Sequence, residues 1–182
     1  MGQVIFQTGR GVDDNAFVTL FEQVFTASEG TEEGRLLGDL VRAILDTTSQ
    51  DDLHVFCALD GRELVGAVCF SRLLYSEDLR TVFLLSPMAV HADRQGEGIG
   101  QALIHHALEA LRSAGVDVVL TYGDPAFYRR VGFSPITEAI AAAPYDLSMP
   151  QGWLGQSLSS AALEPLKGEA HCVAAFARPE IW

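Results

Sequence analysis

The sequence predicts an α/β (α+β) domain with one mixed β-sheet of about seven strands flanked by about four helices. Residues 84–107 read as a strand, a glycine-rich loop and a helix. A second apolar run at 116–122 completes a strand–helix–strand crossover, which makes parallel neighbours. Asp60-Gly61 divides two further apolar runs, and a hairpin there makes antiparallel neighbours.

The elements follow in order. Gln3 to Thr8 alternates apolar and polar residues, the pattern of an edge strand. Gly9 to Gly11 breaks it. Ala16, Phe17, Leu20, Phe21, Val24 and Phe25 recur at helical spacing, as do Leu36, Leu37, Leu40, Val41, Ile44 and Leu45. Thr26 to Gly34, with its glycines and glutamates, reads as a mobile loop between these two helices. Leu53–Leu59 and Glu63–Leu73 form the hairpin, with a type I′ turn expected at Asp60-Gly61. Thr81 to Val90 is the next strand. Ile99, Leu103, Ala107, Leu111 and Ala114 mark one face of a long helix, and Val116 to Tyr122 is the strand after it. Pro125 suits the first position of a short helix. Phe133 to Ile136 starts another strand, and Ala170 to Ala177 is the last. Ala141 to Glu169 is rich in Pro, Gly and Ser; a loop so long calls for turns or a short helix, expected near Ser157–Leu163. The chain 1–182 reads as a single domain, its core at about 3–137 and its loop and last strand at about 138–182.

Composition narrows the function. A hydrophobic content of 48% beside 20% charged residues is that of a globular domain with a full core. No apolar run approaches the roughly 20 residues of a membrane span, and no secretory signal is visible, so no membrane partner is expected. Cys57, Cys69 and Cys172 sit in apolar runs without a C-x-x-C pair; they read as reduced core thiols in a cytoplasmic protein, and no metal is expected. The net charge of −12 argues against nucleic acid and favours a cationic partner such as an amine, while also serving solubility.

The most informative segment is the loop Arg94-Gln95-Gly96-Glu97-Gly98-Ile99-Gly100. Glycines that open a helix expose its first N–H groups, and with the positive end of the helix dipole these suit a phosphate. No Lys follows, as a nucleotide P-loop requires. The G-x-G-x-G spacing and its distance from Val90 also depart from the dinucleotide fingerprint. What fits is Q-x-x-G-x-G, Gln95 to Gly100, and here the segment resembles the GNAT superfamily of acyl-CoA-dependent N-acetyltransferases. A second segment agrees: Tyr128 stands four residues before Gly132-Phe133, a spacing that GNAT chains often carry. The run from Gly123-Asp124-Pro125 to Phe133 is similar to the YhbS-like subgroup, and the resemblance is specific over about Leu84 to Ile136.

The resemblance implies a GNAT fold in which two parallel strands part and a phosphorylated acyl donor, acetyl-CoA (coenzyme A), lies in the gap. It implies that Arg94, Gln95, Gly96, Glu97, Gly98, Ile99, Gly100 and Gln101 cradle the pyrophosphate, and that Met88, Ala89 and Val90 hold the pantetheine arm. Pro87 lacks an N–H and is compatible with broken pairing there. Tyr128, with an ordinary phenol pKa near 10, becomes the acid for the leaving thiolate. The activity implied is N-acetyl transfer to a primary amine of a small molecule or peptide, by direct transfer in a ternary complex; the alternative is an inactive acetyl-CoA-binding domain acting as a sensor or interaction module. A dinucleotide-dependent enzyme is a third reading, and its glycine spacing is wrong. A homodimer through an exposed sheet edge is compatible with the pattern.

Two departures from the family stand out. The strand at 81–90 lacks the glutamate that often serves as base, so Asp124, Glu22, Glu29, Glu32, Glu33, His54, His91 or a water relay all stay open. The asparagine often found seven residues before the tyrosine is Thr121 here. Arg129 and Arg130 are further candidates for phosphate contact or simply a solvated helix face.

Overall fold

The structure is a computed structural model and describes residues 2–182. Strand β1 (Val4–Thr8) leads to α1 (Asp14–Glu29), α2 (Thr31–Thr47), the hairpin β2 (Leu53–Asp60) and β3 (Glu63–Tyr75), then β4 (Val82–Val90), α3 (Ile99–Ser113), β5 (Val118–Tyr122), α4 (Pro125–Tyr128), β6 (Ser134–Pro135), β7 (Trp153–Ser157) and β8 (Ala170–Cys172). The sheet runs β1-β2-β3-β4-β5-β7-β6, with β8 added to the far end of β3. Among the described residues only β4 and β5 pair in parallel, as the crossover through α3 requires.

Each face of the sheet carries helices. The α3 stripe of Ile99, Leu103, Ile104, Ala107, Leu108 and Leu111 is buried with Phe56, Phe70, Phe83 and Val119. On the other face, α1 and α2 cover Val55, Ala67 and Ala89 on one side and Leu73, Leu84 and Leu120 on the other. Burying a side chain of this size stabilises the fold by roughly 1.5–3 kcal/mol each. No helix among the described residues is long and apolar enough to cross a membrane.

Several local expectations are corrected. Thr26 to Gly34 is not a loop: α1 runs through Glu29, breaks at Gly30 with φ +102°, and α2 starts at Thr31. Gly34 is there for packing, since a Cβ on it would collide with the Thr26 side chain and the Glu22 carbonyl; its absence lets the two helices cross closely. The hairpin turn is Gly61-Arg62, and only Gly61 has a left-handed φ. That suits a type II′ turn, because type I′ needs positive φ at both central residues. No helix forms at 157–163. Instead β7 inserts between β5 and β6, and the buried Trp153 donates its Nε1–H to the Ala141 carbonyl at 2.8 Å. The strand expected at Phe133–Ile136 shrinks to β6. The last strand ends at Cys172, and a 3-10 turn carries Phe176 into the core.

A charged clasp ties the end of the long segment between β6 and β8 to the loop after β3. Arg80 pairs with Asp78 at 2.7 Å and donates to the carbonyls of Glu164 and Pro165, while Asp78 also accepts the Lys167 N–H. Hydrogen bonding from Arg80 holds the Asp78 carboxyl well below its usual range. Asp78→Ala is expected to cost about 2 kcal/mol and to speed amide exchange selectively at 164–169. Because the Asp78 pKa is depressed in the folded state, its contribution is present above the ordinary carboxylate pKa and lost as pH falls. Urea midpoints measured at neutral and acid pH should therefore converge for wild type and variant on acidification.

Candidate active site

Parallel pairing of β4 with β5 runs from Val82–Val118 to Leu85–Thr121 and stops. Two features end it. On the β3 side, Val68 pairs with Met88 but Phe70 with Leu85, so β4 carries an extra residue at Ser86-Pro87. On the other side, β5 turns to β7, which pairs with it through Tyr122. At the crotch of the fork, Thr121 is fully buried and donates its hydroxyl to the Leu85 carbonyl at 2.9 Å. The strands then diverge.

The divergence frees backbone groups. The His91 N–H donates to the Val65 carbonyl at 2.9 Å. Alternation along a strand then turns the Ala89 N–H and C=O toward β3, and those of Met88 and Val90 toward the gap. Of the three residues expected to meet a ligand arm through the backbone, Met88 and Val90 can do so; Ala89 is committed to the sheet. The Val90 carbonyl accepts from Gln95 Nε2 at 3.0 Å, which leaves its N–H and the Met88 groups facing the gap.

The glycine loop sits at the end of β4. Gly96 and Gly98 have φ near +80°, and a Cβ on either would meet nothing within 4 Å, so glycine is required there by conformation. Gly98 caps α3 with no side-chain partner, which leaves the first N–H groups of the helix available to an anion. Gly100 is required by space: a Cβ would lie 2.6 Å from Met88 Cε and 3.4 Å from Val90 and Phe127. Arg94 is held in two directions, to Asp60 at 2.9 Å and Glu97 at 3.0 Å, so it braces the loop against the hairpin turn.

A cavity of about 910 Å³ joins the gap, the loop and the inner ends of α1 and α2. It is lined by Met88, Ala89, Val90, Arg94, Gln95, Gly96, Gly98, Ile99, Gly100, Gln101 and Tyr128, which is every expected site residue except Glu97. Glu97 serves Arg94 instead. Arg130 also lines the cavity; Arg129 does not.

Tyr128 is half-buried, its ring set edge-on between Phe127 (5.1 Å) and Phe133 (5.7 Å). Gly123 makes room for it, since a Cβ there would approach the ring to 2.8 Å. Burial pushes the phenol above its ordinary pKa, helped by the nearby Asp124 carboxylate. The Thr121 hydroxyl beside the phenol works in the opposite direction and offsets the rise only in part. The phenol proton is therefore retained throughout the neutral range.

The cavity sorts the open candidates for a base. Glu29, Glu33 and Asp124 line it; Glu22, Glu32, His54 and His91 do not. His54 packs edge-on to Phe83, and burial lowers its pKa. Asp124 accepts the Ala126 N–H at 2.9 Å and caps α4 while facing the cavity. Sequence reasoning gave no site role to Ser86, Gly123, Phe176, Glu180 or Trp182, all of which line the cavity.

A family model described as an acetyltransferase (GNAT) domain matches residues 51–135. The chain is 30% identical over 140 residues to the uncharacterized N-acetyltransferase YjhQ of Escherichia coli K12, covering 74% of this chain and 76% of that protein. It is 37% identical over 75 residues to the uncharacterized N-acetyltransferase YhbS of the same strain, covering 41% and 44%. Among solved structures, the fold is similar to that of E. coli YhbS in complex with CoA, with TM-score 0.74, 24% identity and coverage of 98% of this chain and 94% of that one. A GNAT acetyltransferase of Brucella melitensis in complex with acetyl-CoA gives TM-score 0.70, 24% identity and coverage of 97% and 99%.

Two outcomes follow from the geometry. Thr121→Val keeps the shape but strips the Leu85 carbonyl of its partner, and should cost about 1–3 kcal/mol by urea denaturation. Burial also pushes the Cys69 thiol up to about 12 and raises the Tyr75 and Tyr128 phenols. All three are neutral when protonated, so the unfolded chain releases these protons first, and stability falls as pH rises above about 9–10. A urea midpoint that stays constant into that range would contradict the burial of these groups.

Proposed function

The chain belongs to the GNAT acetyltransferase family, and we propose that it moves an acetyl group from acetyl-CoA to a primary amine by direct transfer at the β4–β5 fork. The observation that carries this assignment is the continuity of one cavity across an anion-receptive loop, a strip of free strand backbone and a protonated phenol.

The residues fit the donor in its parts. The loop Gln95–Gln101 presents helix N–H groups suited to a pyrophosphate, without a net positive domain. Arg130, which makes no ion pair among the described residues, is placed to meet a further phosphate. Met88 and Val90 offer backbone groups to the amide-bearing arm in the manner of an added strand. Acetyl-CoA, when bound, supplies the acyl group as a thioester.

Transfer forms an N–C bond and breaks a C–S bond. The attacking amine sheds a proton and the departing thiolate gains one. Tyr128 holds a proton at neutral pH and is assigned as the donor to the sulfur. Asp124, on the cavity wall beside Tyr128, is the carboxylate placed to receive the amine proton, directly or through water. The free thiols of Cys57, Cys69 and Cys172 suit a reducing, cytoplasmic setting.

Calorimetric titration with acetyl-CoA and free CoA tests the assignment. Binding is expected in the wild type and loss of binding in Gly98→Glu and Gly100→Glu, each measured below its own melting temperature because both substitutions strain the loop. No binding by the folded wild type would refute it. Tyr128→Phe should keep acetyl-CoA affinity and lower kcat by about 10²-fold or more; full turnover with chemistry rate-limiting would remove Tyr128 from the acid role.

A further inference from the structure

The cavity is electrically polarised. Its two arginines, Arg94 and Arg130, stand with the glycine loop and just past α4, together with Asp124 at the α4 N-cap. Its glutamates stand elsewhere: Glu29 at the end of α1, Glu33 in the first turn of α2, and Glu180 in the last 3-10 turn. None of these three forms an ion pair among the described residues. The wall also carries Phe25, Tyr122 and Trp182, and the last two rings stack at 6.4 Å and 17°.

The reacting amine does not account for this charge. It must be neutral when it attacks, so its ammonium form is lost at the fork. Unpaired glutamates at the wide end instead favour a cation that stays charged throughout the reaction. Aromatic faces also attract ammonium groups and pack against hydrocarbon. The same carboxylates repel an acceptor that bears a carboxylate of its own. Resting on the acetyl-transfer assignment above, we infer that the acceptor is a diamine: a hydrocarbon body with the reacting amine at one end and a second, permanently charged ammonium group held among Glu29, Glu33 and Glu180.

A charge series of matched length tests this. Thiol release from acetyl-CoA would be followed with hexamethylenediamine, hexylamine and aminocaproate, in wild type and in Glu29→Gln/Glu33→Gln/Glu180→Gln. The expected kcat/KM for the diamine exceeds that for hexylamine by about tenfold, falls with added salt, and exceeds that for aminocaproate by more. In the triple variant the diamine-to-monoamine ratio should approach one. Equal use of the three amines by the wild type, or an undiminished ratio in the triple variant, would overturn the inference. Should turnover be undetectable, calorimetry of hexamethylenediamine on the CoA-loaded protein must show binding that the triple variant weakens, and its absence equally overturns it. Acetyl-CoA titration separates the levels. Without donor binding the acetyl-transfer assignment falls and takes this inference with it. With donor binding but no diamine preference, only the inference falls.

Discussion

Parallel pairing between β4 and β5 ends at Leu85–Thr121, and the site is built on that ending. A sheet that stayed paired would bury every backbone group of Met88 and Val90 and leave no passage between the α3 face and the α1–α2 face. The extra residue at Ser86-Pro87 carries β4 out of step with β5, while β5 stays paired with β7 through Tyr122. A split sheet exposes polar backbone, which is tolerated only where something else satisfies it. Thr121 does this for Leu85, and Gln95 does it for Val90. What is left unsatisfied faces the cavity, so structural need and binding capacity are met by the same few atoms.

The loop glycines divide their work by cause. Gly96 and Gly98 supply backbone angles that other residues resist, while Gly100 supplies closeness, seating the start of α3 on Met88, Val90 and Phe127. Arg94 looks from the sequence like a phosphate ligand, yet it is spoken for by Asp60 and Glu97. It fixes the loop to the β2–β3 turn, and the helix terminus is left to attract the anion. This explains how a chain with a net charge of −12 can accommodate a polyanion. The attraction is local and directional, made by N–H groups at contact distance, whereas the diffuse negative field is screened over roughly 8–10 Å.

Much of this was legible in the sequence because it rests on short-range rules. The 3.6-residue spacing gave all three long helices, the Asp60-Gly61 signal placed the hairpin, and the loop glycines and Tyr128 stood at spacings that marked the site. The parts that were not legible depend on contacts between distant segments. Gly34 looked like a loop residue because nothing in its neighbourhood announces that it faces Thr26 and Glu22 across a helix crossing. Trp153–Ser157, interrupted by Gly155 within a stretch rich in Pro, Gly and Ser, does not read as a strand; it becomes one because β5 leaves an edge to be filled. Glu180 and Trp182 join the site only through the packing of the C-terminal turn beside α2.

The same distinction bears on specificity. The donor half of the cavity is made mainly from backbone, so it depends on strand divergence and glycine placement and tolerates changes in surface charge. The acceptor half is made from side chains on α1, α2 and the C-terminal turn, elements whose spacing is set by apolar packing rather than by the fork. Charge there can vary without disturbing the strand geometry that positions Tyr128. Glu29, Glu33 and Glu180 are therefore residues of choice rather than of necessity for the fold: exposed or half-exposed and unpaired, they contribute little to stability. Carboxylates held on the wall of a functional cavity without a structural partner are most simply explained by what enters it, and a cation that keeps its charge through the reaction is the occupant they favour.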